Sequence, residues 1–489
     1  MVDKTPGARW EWLAGGGFIA AALALGLRGI GRSLWLDEAW VANSIATPSL
    51  GGMFYYPAWL QSSPPMFLLT SRLAVQALGA SSGAFRAVPL LMALAATGGM
   101  FAAARRILSW PFAVLASTLL VFFTAEIEYS HSAKQYSGEV AATVFILLAA
   151  IRYLQKPEPR RSYWLAAAIA LALPFSYAAV FLLPGVFVAM GKGRRLKMAL
   201  LPALVLLVLY VFFIRPNFGE GLRAYWASES DSGLSWGTAA ALVAAVAVTA
   251  ASLARVKGKP GWREWTQIVC VLPCILLVVT GALGWYPQTY RTRLFVFPCF
   301  VLAVLAGLED FARALFGRRA AEAGALLAAG VVAAMGVRAQ IHNDPNRPKE
   351  DVDGAVTYLQ RIVAPDDLLL IHPSVGESFR LYAGLHHWMA PPAIYGETGW
   401  PCCPRGRLVK ARSSTRRSVI ADENRMVPAA YSGRVWLLYT IRPTHWDWAG
   451  LDESNVWRDN LVDRGCVLPK PDLRFENLAI TFAVCGEKL

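Results

Sequence analysis

The chain has 489 residues, 56% hydrophobic and only 16% charged, with a mean hydropathy of +0.41. Soluble domains carry about 25% charged residues, so this composition excludes a soluble enzyme, a disordered chain and a fibrous protein. The net charge of +14 resides in 1–340, with 29 basic and 15 acidic residues, because 341–489 holds 18 of each. Those basic residues lie between apolar runs, which points to a membrane and away from nucleic acid.

A helix needs about 20 apolar residues to cross the hydrocarbon. Apolar runs predict spans near 13–30, 87–104, 111–127, 139–151, 163–175, 177–190, 199–214, 236–254, 265–283, 294–310 and 323–340. No small-residue cleavage site follows the first run, so it is expected to stay as an anchor. The run 66–78 is short, starts after Pro64-Pro65 and contains Arg72. That suits an interfacial or re-entrant helix better than a span.

Charge supports that choice. If 66–78 does not cross, alternate loops hold 19 basic residues on one side, Arg105, Arg106, Arg152, Arg160 and Arg161 among them. The other side holds 9, including Arg86, Lys134, Arg291 and Arg293. Basic loops stay inside. The expectation is a polytopic α-helical protein of the plasma (inner) membrane, with about 11 transmembrane helices in 1–341 and a cytoplasmic N-terminus.

From 342 the material changes. Asn343, Pro345 and Pro348 mark a linker, and Val352–Ile362 has helical spacing. The segments 367–371, 435–439 and 478–484 read as buried strands, giving a small extracytoplasmic α/β domain over 342–489. Cys270, Cys274 and Cys299 lie in apolar spans and read as inert packing residues. Cys402, Cys403, Cys466 and Cys485 fall on the oxidising side, so at least one disulfide is expected. Cys466 and Cys485 flank a hairpin-like segment, and Cys402 or Cys403 are alternatives. No Cys/His spacing reads as a metal site.

Three polar clusters carry candidate chemistry. Asp37 and Glu38 follow the first span in SLWLDEAW, between Trp35 and Trp40. They read either as solvated acids in an aromatic belt or as a general base beside an apolar surface, where desolvation raises a carboxylate pKa. The loop EIEYSHSAKQYSGE packs Glu126, Glu128, His131, Lys134, Tyr136 and Glu139 together. A hydrated loop with internal ion pairs is the alternative. In WYPQTYRTRLF, Tyr290, Arg291 and Arg293 stand at a span entrance on the basic-poor side. Guanidinium groups there suit a phosphate partner, or else lipid headgroups.

The acidic pair, the Pro-Pro-led helix, GASSGAFR before the second span and YSHSAKQY occur in the order used by lipid-dependent GT-C glycosyltransferases. Over 15–310 the chain resembles bacterial relatives of protein O-mannosyltransferases and aminoarabinose transferases. The resemblance implies that Asp37 is the catalytic base with Glu38 its neighbour. It places Pro64-Pro65 at the start of an external juxtamembrane helix and matches Arg86 to the arginine entering the second span. The family loop usually reads Ser-Arg-Glu-Ala-Arg-x-Tyr; here Ser132 replaces the acid and Lys134 the second arginine. Of the usual Arg-Tyr pair before the tenth span only Arg293 remains, and Ser63 stands where some relatives have Lys or His.

The implied enzyme is an inverting glycosyltransferase. It moves a sugar from a polyprenyl-phosphate carrier to a hydroxyl of a lipid, glycan or protein acceptor on the outer membrane face. Asp37 deprotonates the acceptor. Arg291, Arg293, Lys134 and Tyr290 hold the donor phosphate, and Arg86, Glu128, His131, Tyr136 and Glu139 line the active-site loop. No cofactor or metal is expected to be required. The alternatives are a transporter or flippase of lipid-linked sugars, which would need broken helices in two related halves, and an oligosaccharide ligase using a pyrophosphate donor.

Overall fold

The structure is a computed structural model. It describes residues 8–55, 63–190, 192–218, 260–287, 289–342, 349–364, 367–371, 373–388, 407–408, 430–441 and 453–486, with isolated positions at 243–254, 420 and 427. Cys402, Cys403 and the expected linker at 343–348 lie outside the described residues.

In chain order the helices are α1 (Ala8–Leu27), α2 (Leu36–Ala46), α3 (Leu50–Phe54), α4 (Pro65–Leu78), α5 (Ser82–Ile107), α6 (Trp110–Val121), α7 (Thr124–Ser130) and α8 (Tyr136–Gln155). Then come α9 (Pro159–Ala172), a 3-10 turn (Tyr177–Leu182), α10 (Leu183–Ala189), α11 (Lys192–Leu209), α12 (Trp262–Ala282) and α13 (Phe297–His342). The C-terminal part adds α14 (Val352–Ile362), β1 (Leu368–Ile371), α15 (Pro373–Leu385), β2 (Arg407–Leu408), β3 (Gly433–Thr440), α16 (Glu453–Asp463), β4 (Leu473–Phe475) and β5 (Leu478–Cys485).

Two compact units result. The first is Met1–Ile30, Phe54–Ala74 and Arg86–Asp344; the second is Gly31–Met53, Val75–Phe85 and Pro345–Leu489. The units therefore divide differently from a cut at 341. The segment that carries Asp37 packs with the C-terminal region, because α2 lies against α15.

Among the described residues six helices are long and apolar enough to cross a membrane: Trp10–Leu27, Ser82–Ile107, Tyr136–Gln155, Met198–Asn217, Trp262–Ala282 and Leu294–His342. A seventh span forms if α6 and α7, bent by 57°, are taken together. The last piece has 49 residues, about 70 Å at 1.5 Å per residue. That is more than twice the roughly 30 Å hydrocarbon. Gly317 breaks it, with φ 76° and ψ 166°, a conformation that suits glycine. The expected spans 163–175 and 177–190 are shorter than a crossing: α9 has 14 residues and α10 seven. Pro174 lies two residues beyond α9 and Pro184 inside α10, and proline disfavours continued helix through the residues before it. The expected span 236–254 lies largely outside the described residues. The run 66–78 forms the 14-residue α4, too short to cross.

The first unit packs through small residues, as helices in lipid must. Gly185 on α10 leaves space for α12: a Cβ there would stand 3.0 Å from Val269 Cα and 3.1 Å from its carbonyl oxygen. A buried charge cluster ties three helices. Glu309 on α13 accepts the Ser109 N–H that opens α6 (3.1 Å), and pairs with Arg313 (2.6 Å) and with Arg263 of α12 (3.4 Å). Glu309 is 1% exposed, so these partners are what make its charge tolerable there.

The second unit carries a five-stranded sheet of order β2-β1-β3-β5-β4. β1 pairs in parallel with β2 and β3, whereas β3, β5 and β4 pair antiparallel. β1 and the middle of β3 are buried without alternation, as expected of strands covered on both faces. Asp367, just before β1, accepts from Arg434 Nε and Trp436 Nε1, both at 2.8 Å. Cys466 and Cys485 form a disulfide.

Gly185→Ala forces backbone apart at α10–α12 and is expected to cost about 1–3 kcal/mol. Gly324→Ala, whose added Cβ meets nothing within 4 Å, should be neutral or stabilising. Thermal unfolding of both variants in detergent checks this; equal melting temperatures would refute the close approach.

Candidate functional site

The acidic pair sits in the first turn of α2, where unsatisfied N–H groups favour negative charge. Ten of the eleven α2 residues are buried; Asp37 is 7% exposed and Glu38 fully buried. The Glu38 carboxylate reaches back to the Trp35 N–H at 3.5 Å. Glu350 accepts the Leu36 N–H at 3.3 Å, so a residue more than three hundred positions away caps this helix.

Other second-unit contacts hold α2 in place. Tyr382 Oη accepts the Leu34 N–H at 2.6 Å and exchanges a hydrogen bond with Ser82 Oγ at 2.8 Å. Asn43 Nδ2 donates to the Glu377 carbonyl at 2.9 Å. Lys349 Nζ lies 4.3 Å from the Trp35 ring centroid, within cation–π range. Glu350 has no motif around it and lies beyond the expected linker, so nothing in the sequence singles it out. Burial, with the Asp37 charge nearby, pushes its carboxyl up to about 7, against the Leu36 N–H and Lys349, which lower it.

The first unit gathers the other two clusters. Tyr129 Oη donates to Tyr290 Oη at 3.1 Å, and the Tyr129 and Tyr136 rings lie 4.6 Å apart. The loop of 124–139 and the turn of 286–293 therefore meet. That turn is pinned by its own hydroxyls. Thr289 N–H donates to Thr292 Oγ1 (3.1 Å), Thr292 N–H to Thr289 Oγ1 (3.3 Å), and Thr292 Oγ1 to the Pro287 carbonyl (2.6 Å). Between the two threonines the turn presents an exposed Tyr290 and a buried Arg291, with Arg293 half-buried just beyond. Thr289 and Thr292 are not among the expected site residues; a Thr-x-x-Thr spacing within the turn is the available signal.

In the loop His131, Lys134, Tyr136 and Glu139 are buried and Glu128 is partly buried. Gln135 Oε1 accepts from Ser63 Oγ at 3.3 Å, which brings the Pro64-Pro65 entrance of α4 to this loop. Arg86 is fully buried, and its Nη1 donates to the Ile30 carbonyl at 2.9 Å. It thus closes the chain after α1.

Residues 62–217 match the family described as dolichyl-phosphate-mannose-protein mannosyltransferase. No curated protein matches the chain by sequence. The fold is similar to that of ArnT from Cupriavidus metallidurans, solved bound to undecaprenyl phosphate. The TM-score is 0.59 at 13% identity, over 97% of this chain and 98% of that one. The chain has a GT-C fold. Two further GT-C structures are similar. One is the Archaeoglobus fulgidus oligosaccharyltransferase tethered with an acceptor peptide, with TM-score 0.50 and 11% identity over 89% of this chain and 69% of that one. The other is the mycobacterial arabinofuranosyltransferase AftD, with TM-score 0.51 and 13% identity over all of this chain and 42% of that one.

Glu350 gives a pH signature. Its folded pKa lies above the ordinary carboxylate value of 4.5, so the folded state resists ionising it. Stability is therefore expected to fall as pH rises from about 4.5 to about 7, and to level off above that. Glu350→Gln removes this contribution, so the drop in melting temperature between pH 5 and pH 8 should shrink. Parallel melting curves for wild type and variant at both pH values would contradict the assignment.

Proposed function

We propose that the protein is an inverting glycosyltransferase that uses a polyprenyl-phosphate sugar. The observation that carries this reading is the end-to-end likeness to ArnT, solved with undecaprenyl phosphate. It is joined by the match of 62–217 to the mannosyltransferase family. The buried acids in the first turn of α2 supply the chemical support.

In this reading the Asp37 carboxylate takes the proton of an acceptor hydroxyl. The acceptor oxygen attacks the anomeric carbon from the face opposite the phosphate. The bond between that carbon and the phosphate oxygen breaks, polyprenyl phosphate leaves with both electrons, and the anomeric centre inverts. Arg291 and Arg293, with Lys134 and Tyr290, neutralise the charge growing on the departing phosphate. Glu38 orients the turn that holds Asp37 through its reach to the Trp35 N–H. Glu128, His131, Tyr136 and Glu139 line the loop beside the phosphate, and Arg86 sets the entrance of α5. In this reading the active face is extracytoplasmic, an orientation that the excess of basic residues in the opposite loops supports. The acceptor is a lipid, glycan or protein hydroxyl.

Purified protein incubated with radiolabelled polyprenyl-phosphate sugars tests this. Asp37→Asn is nearly isosteric and should leave folding and carrier binding intact while slowing transfer at least about a hundredfold. Arg293→Ala should weaken carrier binding as well as turnover, because its partner is phosphate in both ground and transition states. Normal turnover in Asp37→Asn with loss in Glu38→Gln or Glu128→Gln would move the base to that acid. Full activity in all three would remove the glycosyltransferase reading.

Orientation has its own test. A reporter active only outside the cytoplasm should work when fused after residue 489 and stay silent within 192–197. The reverse pattern would place the proposed site in the wrong compartment.

A further inference from the structure

A long open groove of about 980 Å³ runs along the first unit between α5, α8 and α9. From Gly138 to Arg152 it follows fifteen residues of α8, about 21 Å end to end at helical rise. Small side chains make the hollow, among them Ala142, Ala149 and Ala168, and Phe145, Trp164 and Leu171 stand exposed along it.

The two ends differ in charge. Met92, Gly138 and Phe175 close one end without a cation. At the other end stand Arg106, Arg152, Arg160 and Arg161, against one lining carboxylate, Glu158. That carboxylate is already engaged by Lys156 at 2.5 Å and by Arg161 at 3.6 Å. Arg161 Nη1 donates to the Arg152 carbonyl at 2.7 Å, and Arg106 Nη1 donates to Gln155 Oε1 at 2.9 Å. Four guanidinium groups thus converge with too little negative charge among them, at the end of an apolar trough.

We infer that this groove is a binding site for one anionic glycerophospholipid, its phosphate among the arginines and an acyl chain along the alanines toward Gly138. The dimensions fit: one leaflet of hydrocarbon is about 15 Å deep, and the trough exceeds that by enough to seat a headgroup. Guanidinium groups bind phosphate through paired hydrogen bonds, and a basic pocket between membrane helices is a recognised headgroup site. The occupant is not the polyprenyl-phosphate donor of the proposed reaction. The residues assigned to that phosphate meet the Tyr136 end of α8, whereas Arg152 stands at the opposite end of the same helix. A carrier lying in the groove would put its phosphate at the wrong end.

The test is native mass spectrometry of the full chain in mild detergent, with added phosphatidylglycerol, phosphatidylethanolamine or undecaprenyl phosphate. Wild type should keep one phosphatidylglycerol per chain and prefer it over phosphatidylethanolamine by about tenfold or more. The double variant Arg152→Gln/Arg160→Gln should lower that retention at least roughly tenfold, since each basic residue near a headgroup contributes about 1 kcal/mol. Ala149→Leu/Ala168→Leu fills the trough and leaves the charges in place. It should displace the lipid as well, and it decides the matter if the arginine variant does not fold. Equal retention of both phospholipids, or retention unchanged in the trough-filling variant, would reduce the groove to ordinary lipid contact and overturn the proposal. So would undecaprenyl phosphate outcompeting phosphatidylglycerol in wild type and losing that advantage in the arginine variant.

Discussion

Two adjacent carboxylates lie buried at the start of an 11-residue helix, which the second unit holds through contacts with α15 and residues 349–350. A buried charge is costly unless it is compensated. The first turn of α2 supplies part of the compensation, because its free N–H groups and helix dipole face the acids. The helix itself needs support, since α2 is too short to be stable alone. That support comes from residues that follow the membrane part of the sequence: Glu350 on the Leu36 N–H, Tyr382 on Leu34, and the Glu377 carbonyl on Asn43. α15 and residues 349–350 therefore hold the helix that carries the acidic pair, and a sequence cut at 341 separates them from it.

The first unit solves a different problem with different means. Apolar surface does not drive helices together in lipid, so close approach and buried polar ties must do so. Gly185 permits backbone contact at Val269, and Glu309 gathers an α6 N–H and two arginines from α12 and α13. The turn at 286–293 follows the same logic on a smaller scale. Its two threonines satisfy backbone groups locally, which fixes the loop from which Tyr290, Arg291 and Arg293 project.

Much of this is readable from sequence wherever a local rule decides the outcome. Val352–Ile362 forms a helix over the predicted residues, and the apolar runs at 367–371, 435–439 and 478–484 become β1 and parts of β3 and β5. Pro64-Pro65 opens a short helix, and Cys466 pairs with Cys485. The break at Gly317 falls between expected spans and Pro174 at the end of one, but hydropathy does not show that α9 and α10 are each too short to cross. Glu350, Tyr382 and Asn43 are invisible in the sequence because their significance rests on pairings hundreds of residues apart. The basic residues at 106, 152, 160 and 161 read there only as markers of orientation. That they meet at one end of a groove follows from helix packing, which no linear count of charge contains.

The loop of 124–139 shows how a departure from a family pattern can be absorbed. Where lipid-dependent GT-C enzymes usually carry an acid, Ser132 gives its hydroxyl hydrogen to the Glu128 carbonyl at 2.7 Å. Ser130 Oγ does the same to the Ile127 carbonyl at 2.7 Å. These two bonds satisfy carbonyls at the end of α7 that a helix terminus leaves open. The Lys134 N–H donates to the Ser132 carbonyl at 2.7 Å, so the loop keeps its shape without the charge. Glu128 remains only partly buried beside it, Lys134 is buried, and the Tyr136 ring packs on Tyr129. The loop thus keeps its local hydrogen bonds where the family pattern has an acid, and the proposed reaction draws its base from the acidic pair in the first turn of α2 instead.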